Sequence, residues 1–187
     1  LFGERWLPPG SGWLAAALLC AMPMVARLAG TGLVEMPLAC YSFLAFYALW
    51  HWRQSRARGW LALSAGMAGA AAATKLNGAA AALIFATLAA LLVAREGYLR
   101  RAAGVFAGYG LISFLVVLPW YLKAWVHTGN PIWPFLYPLL GGRNWDELGG
   151  VYLIGYLRTT NMEPTVANWL TGLWQVTRAN GRFGSFL

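Results

Sequence analysis

The chain has 187 residues, 59% of them hydrophobic and only 11% charged, with a net charge of +8 and a mean hydropathy of +0.54. Soluble domains carry about 25% charged residues, so this chain has too little polar surface for a water-soluble globule and reads as a polytopic α-helical membrane protein. The basic excess would point to nucleic acid in a soluble chain, but here Lys and Arg gather at the edges of apolar runs, the pattern of positive loops against membrane lipids, and no nucleic-acid partner is expected.

At about 20 residues per crossing the length accommodates roughly five spans. The sequence opens at Leu1 without methionine, basic leader or cleavage site and stops after Leu187, so it reads as an excerpt of a longer protein. The first apolar run covers residues 12–28, opened by Pro8-Pro9-Gly10-Ser11 and closed near Arg27 and Gly30-Thr31-Gly32. The second covers residues 33–52, with Pro37 in its first turn, where a missing N–H costs nothing, and ends at Arg53, Arg56 and Arg58. The third, residues 59–74, is Ala- and Gly-rich and just long enough to cross at about 1.5 Å per residue. Lys75, Leu76, Asn77 and Gly78 interrupt it; a fourth run, 79–94, stops at Arg95, Glu96, Gly97, Arg100 and Arg101. The fifth covers 102–125. Beyond it, Asn130-Pro131, Pro134, Pro138 and Gly141-Gly142 divide an aromatic stretch that cannot be one helix and reads as an interfacial loop. The remainder, with an amphipathic patch at residues 166–176, reads as lying on the membrane. The expected division is a transmembrane region over 1–127 and an external interfacial region over 128–187.

Orientation follows from the short loops, because Lys and Arg accumulate on the cytoplasmic side. Arg53, Arg56 and Arg58 form one basic loop and Arg95, Arg100 and Arg101 another, two crossings apart. With both inside, the turn at residues 30–35, the turn at residues 75–78 and everything after Lys123 converge on the external face.

Cys20 and Cys40 lie in apolar runs without CxxC spacing and read as small buried hydrophobes. His51 and His127 fall at opposite faces, and neither belongs to an HExxH. No GxSxG, Walker loop or GxGxxG is present, which removes the soluble hydrolase, NTPase and dehydrogenase readings. Gly104 and Gly108 form a GxxxG, read as close helix packing.

Three features are able to carry chemistry. Glu35 is the only carboxylate within the five runs; a charge costs about 2.5–3.5 kcal/mol at the bilayer centre and less near its edge. It is either an acid held by a helix N-terminal dipole or one lining a substrate or metal cavity. Lys75 either snorkels to the interface or contacts a lipid-linked phosphate beside the free N–H groups of a helix start. Trp120, Tyr121, Trp125, Trp133, Phe135, Tyr137 and Trp145 form either an aromatic belt or the wall of a sugar and isoprenoid cavity. The loop acids Asp146, Glu147 and Glu163 read as solvated surface.

Three stretches, Gly32-Leu33-Val34-Glu35-Met36-Pro37-Leu38-Ala39, Ala73-Thr74-Lys75-Leu76-Asn77-Gly78, and Leu118-Pro119-Trp120-Tyr121-Leu122-Lys123 running into Thr128-Gly129-Asn130-Pro131-Ile132-Trp133-Pro134-Phe135, in this order resemble the bacterial GT-C membrane glycosyltransferases of the dolichyl-phosphate-mannose protein mannosyltransferase and aminoarabinose transferase type. The resemblance covers about residues 1–145. It implies a multi-pass enzyme of the bacterial inner membrane that takes a sugar from a polyprenyl-phosphate donor and transfers it, on the external or periplasmic face, to a protein, lipid or glycan acceptor. It further implies that Lys75 lies at the donor phosphate, that Glu35 lines the same cavity, and that Trp120, Tyr121, Lys123 and Asn130 belong to the substrate-binding segment. Glu35 stands where the family more often has Asp, and Lys123 where it often has Arg. The family's catalytic acid lies in a first external loop upstream of this segment, so no catalytic residue is expected in this chain and the chain alone is expected to be inactive. That acid would act as general base on the acceptor hydroxyl, with basic residues or a divalent metal ion stabilising the departing phosphate. The rival readings are a transporter or flippase, with Glu35 and Lys75 as an intramembrane ion pair, and a non-catalytic membrane scaffold.

Overall fold

The structure is a computed structural model that describes residues 7–143 and 148–149. Trp145, Asp146, Glu147, Glu163 and the patch at 166–176 lie outside the described residues. Among the described residues every regular element is a helix: α1 Ser11–Ala21, α2 Pro23–Ala29, α3 Glu35–Ser55, α4 Arg58–Thr74, α5 Gly78–Ala94, α6 Leu99–Thr128 and α7 Tyr137–Leu140. The fold is therefore all-α, as expected. The chain forms two compact units, one from Leu33–Val126 and one from Leu1–Gly32 with His127–Leu187.

In the second of these units the single run expected over residues 12–28 is two helices bent by 71°. The break lies at Met22, whose extended backbone (φ −68°, ψ 122°) is what a following proline enforces, since the Pro23 ring crowds an α-conformation at the residue before it and supplies no N–H. Residues 131–136 form turns and α7 is one turn long, in keeping with the expected loop.

The unit Leu33–Val126 is a succession of hairpins. Arg56, in a left-handed conformation (φ 55°), ends α3; Lys75 in extended conformation ends α4. Along α6, Tyr109 meets Ser64, Ser113 meets Ala65, and Ser113 and Val116 meet Gly69, so α6 runs parallel to α4. The core is built from small residues: Ala45, Ala48, Ala65, Ala68, Ala71 and Ala89 are fully buried, which lets helix backbones approach closely. At Gly69 an added Cβ would stand 2.6 Å from the Ser113 carbonyl oxygen, and at Gly78 2.1 Å from that of Ala71. Buried hydroxyls tie the helices together. Ser64 Oγ donates to the Ala45 carbonyl at 2.8 Å and bonds Tyr109 OH at 2.9 Å, while Ser113 Oγ donates to the Ala65 carbonyl at 2.8 Å.

Of the five expected crossings, α6 alone, at 30 residues, is a helix long and apolar enough to span a membrane; the bent pair α1 and α2 passes only if counted as one span, and α5 is shorter at 17 residues. Only 22% of the most apolar stretch of α6 is buried within the chain. Leu83, Ile84, Leu91, Leu111 and Leu115 are likewise exposed. Cys20 and Cys40 are exposed rather than buried, because no helix among the described residues covers the faces that carry them. Gly104 and Gly108 meet nothing within 4 Å of an added Cβ; among the described residues the close glycine contacts between helices fall instead at Gly69 and Gly78.

Candidate functional site

The helix hairpins bring together two residues forty positions apart in the sequence. Lys75 Nζ donates to Glu35 Oε1 at 2.9 Å. Glu35 is the first residue of α3, where the unsatisfied N–H groups of the opening turn favour a carboxylate. Lys75 occupies the end of α4, its N–H accepted by the Ala71 carbonyl, while the Thr74 hydroxyl bonds back to the Ala70 carbonyl at 2.8 Å. Both charged side chains stay partly open to the surroundings, 42% exposed for Lys75 and 39% for Glu35, so the pair adds little to stability and leaves two ammonium protons of Lys75 for another acceptor.

The backbone beside Lys75 is less available than the sequence implies. The N–H groups of Gly78, Ala79 and Ala80 donate to the carbonyls of Lys75, Leu76 and Asn77 at 2.8, 3.0 and 3.1 Å. The opening turn of α5 therefore satisfies these donors within the turn, and the Lys75 ammonium is the cationic element of the site.

Tyr121 reaches the same end of the unit. With Ala72, Ala79, Phe114 and Val117 it lines an apolar furrow of about 270 Å³ between the end of α4, the start of α5 and α6. Trp120 is 54% exposed on α6 and Lys123 is exposed one turn further on. No hydrogen bond or ion pair among the described residues joins either of them to the Glu35–Lys75 pair.

Asn130 belongs to the other unit, and its side chain is committed to the loop. It is fully buried; its amide donates to the carbonyls of Phe135 at 2.9 Å and Gly141 at 3.1 Å, and its oxygen accepts the Ile132 N–H at 3.0 Å. With both donors in use, Asn130 shapes the aromatic loop rather than offering a free amide to a ligand. Trp133, Phe135 and Tyr137 lie within this loop.

The described residues do not form a cage for a divalent metal ion. No group of three His, Cys, Asp or Glu side chains comes together among the described residues, and the one carboxylate of the site already accepts from Lys75. The buried hydroxyls of Ser64, Tyr109 and Ser113 were not legible in the sequence as helix ties; their only trace is one of these polar residues in the run 59–74 and two in the run 102–125.

No family model, curated protein or solved structure matches the chain.

Proposed function

We propose that this chain is part of an integral membrane glycosyltransferase of the inner membrane, which moves a sugar from a polyprenyl-phosphate donor to a protein, lipid or glycan acceptor on the external face. The observation that carries the reading is the meeting of Lys75 with Glu35 beside the Tyr121 furrow: an ammonium, a carboxylate and an apolar channel at one end of a helix bundle. A polyprenyl phosphate calls for the first and last of these, a point charge for the phosphate and apolar wall for the isoprenoid. The membrane setting is supported by the exposure of α6 and of Leu83, Ile84 and Leu91, since an apolar helix in a soluble core is mostly buried. The further crossings belong to the same proposal.

In this reading the ammonium of Lys75 stabilises the phosphate as its bond to the sugar breaks, and Glu35 holds the ammonium in place when no donor is bound. The carboxylate that removes the acceptor proton lies upstream, as the GT-C resemblance implies, and Trp120 and Lys123 extend the same face. A transport path would set a Glu–Lys pair within a span; here the pair joins helix ends.

The test is sugar transfer in membranes from a labelled polyprenyl-phosphate donor, with the full-length polypeptide, normalised to folded protein. Lys75→Ala removes a charge-assisted contact and lowers transfer by roughly tenfold to a hundredfold; Lys75→Arg restores it in part, because a planar fork replaces a compact charge. The double variant Lys75→Ala/Glu35→Gln, which leaves no unpaired carboxylate, keeps the same loss as Lys75→Ala. Recovery of transfer in the double variant, or wild-type transfer in Lys75→Ala, would refute the assignment.

A further inference from the structure

The opposite end of the same unit holds a second cavity, of about 470 Å³, within the range of roughly 300–1,000 Å³ found for ligand sites. Its mouth carries Arg56, Arg58 and Arg101, and its walls are apolar, with Leu61, Val105 and Ile112 among them. Arg56 pairs with Glu96 and lies over the Trp52 ring at 5.1 Å. Arg58 and Arg101 have no ion-pair partner among the described residues. Gly104 and Gly108 line the same cavity, and an added Cβ at either would meet nothing within 4 Å. The missing side chains on this face of α6 therefore leave room that no helix among the described residues fills.

We propose that this cavity binds an anionic glycerophospholipid, its phosphate held between Arg58 and Arg101 and an acyl chain laid along Leu61, Val105 and Ile112. Two features select that occupant together. Guanidinium groups form paired hydrogen bonds to phosphate, so a neutral lipid leaves Arg58 and Arg101 unused. The apolar walls gain nothing from a free anion, so inorganic phosphate leaves most of the cavity unused. Glu96 neutralises Arg56 and confines the unpaired positive charge to the two remaining arginines. The inference rests on the membrane reading of the chain and not on sugar transfer, because the Lys75 site lies at the other end of α4.

The experiment is native mass spectrometry of the full chain in non-ionic detergent, titrated with phosphatidylglycerol and phosphatidylcholine of identical acyl chains. Phosphatidylglycerol is retained roughly tenfold more strongly. Arg58→Gln/Arg101→Gln abolishes the preference, while the charge-matched control Arg53→Gln/Arg100→Gln, outside the cavity, keeps it. Gly108→Leu fills the cavity without altering charge and weakens phosphatidylglycerol binding, which provides an independent arm if the double arginine variant does not fold by circular dichroism. Millimolar inorganic phosphate does not displace the lipid. Equal retention of the two lipids, equal loss in the two double variants, unchanged binding in Gly108→Leu, or displacement by phosphate alone would each overturn the proposal. Partition of the chain into vesicles, measured alongside, separates the outcomes: partition without preference refutes this site alone, whereas no partition refutes the membrane reading itself.

Discussion

Replacing single glycines by alanine in α4 and at the start of α5 reverses sign from one position to the next. Gly66 lies within α4 with nothing within 4 Å of an added Cβ, so Gly66→Ala gains the helix preference of alanine, about 0.8–1 kcal/mol. Gly69 is one turn along, yet its added Cβ would stand 2.6 Å from the Ser113 carbonyl oxygen and 2.8 Å from the Val116 Cβ. The Ser113 atoms are backbone and cannot swing aside, so α4 and α6 must part by several tenths of an ångström, stretching the Ser113 to Ala65 bond. Overpacking of that kind costs about 1–3 kcal/mol, which cancels the propensity gain and leaves a net loss. At Gly78 the added Cβ would meet Ala71 O at 2.1 Å, Ala71 C at 2.3 Å and Ala72 N at 2.6 Å. Gly78→Ala therefore forces the α4–α5 hairpin open at a cost of about 3 kcal/mol or more, and displaces Lys75 with it. Unfolding of the full chain in mixed micelles, driven by increasing sodium dodecyl sulfate and followed by helical circular dichroism, should rank Gly66→Ala above wild type, then Gly69→Ala, then Gly78→Ala. Equal stability of Gly66→Ala and Gly69→Ala would mean that α4 and α6 do not meet at Ser113, and the reasoning would fail.

The Ser64–Tyr109 hydrogen bond gives a second check: a double-mutant cycle of Ser64→Ala and Tyr109→Phe should show a coupling of about 0.6–1.7 kcal/mol, the span found for buried polar pairs between membrane helices, and strict additivity would contradict the contact. Asn130→Ala strips the Phe135 and Gly141 carbonyls and the Ile132 N–H of their partner, so limited proteolysis should cut residues 130–142 several times faster than wild type, whereas unchanged resistance would remove Asn130 from its loop role. On the proposed membrane reading, in which the two basic loops face inward, single cysteines introduced at Gly78 and at Gly97 in a chain lacking Cys20 and Cys40 should be labelled from opposite sides of a sealed membrane; labelling from the same side would refute the proposed orientation.

Local chemistry made the helices of Leu33–Val126 legible within a few residues. Arg53, Arg56 and Arg58, the Lys75–Gly78 turn, and Arg95 through Arg101 each interrupt an apolar run, and a charge or a glycine at a helix end acts within a turn or two of itself. The break at Met22 was equally local, since Pro23 alone dictates it, and counting apolar residues over 12–28 passed over that single ring. Less of the candidate site was readable. The residues at Glu35 and Lys75 stood out as charges in apolar surroundings, whereas the commitment of Asn130 to three backbone partners did not, because nothing in Asn130-Pro131 indicates which carbonyls fold back upon it.

By itself, then, the sequence determined that the described elements are helices, where those of Leu33–Val126 end to within a few residues, and which residues are costly enough in an apolar setting to need a reason. Tertiary structure alone decided which faces meet. In α5, alanine and leucine surround the axis with no polar stripe, so no periodicity distinguishes the face that meets α4 from the face left open, and small residues pack equally well in several rotations. The pairing of Glu35 with Lys75, the parallel course of α4 and α6, and the arginine-rimmed cavity at Arg58 and Arg101 all depend on the same kind of choice, which faces of α3, α4 and α6 meet. It is set by contacts forty or more residues apart, such as Ser64 with Tyr109 and Gly69 with Ser113, where complementarity of shape and a shared hydrogen bond exist only once both helices have formed.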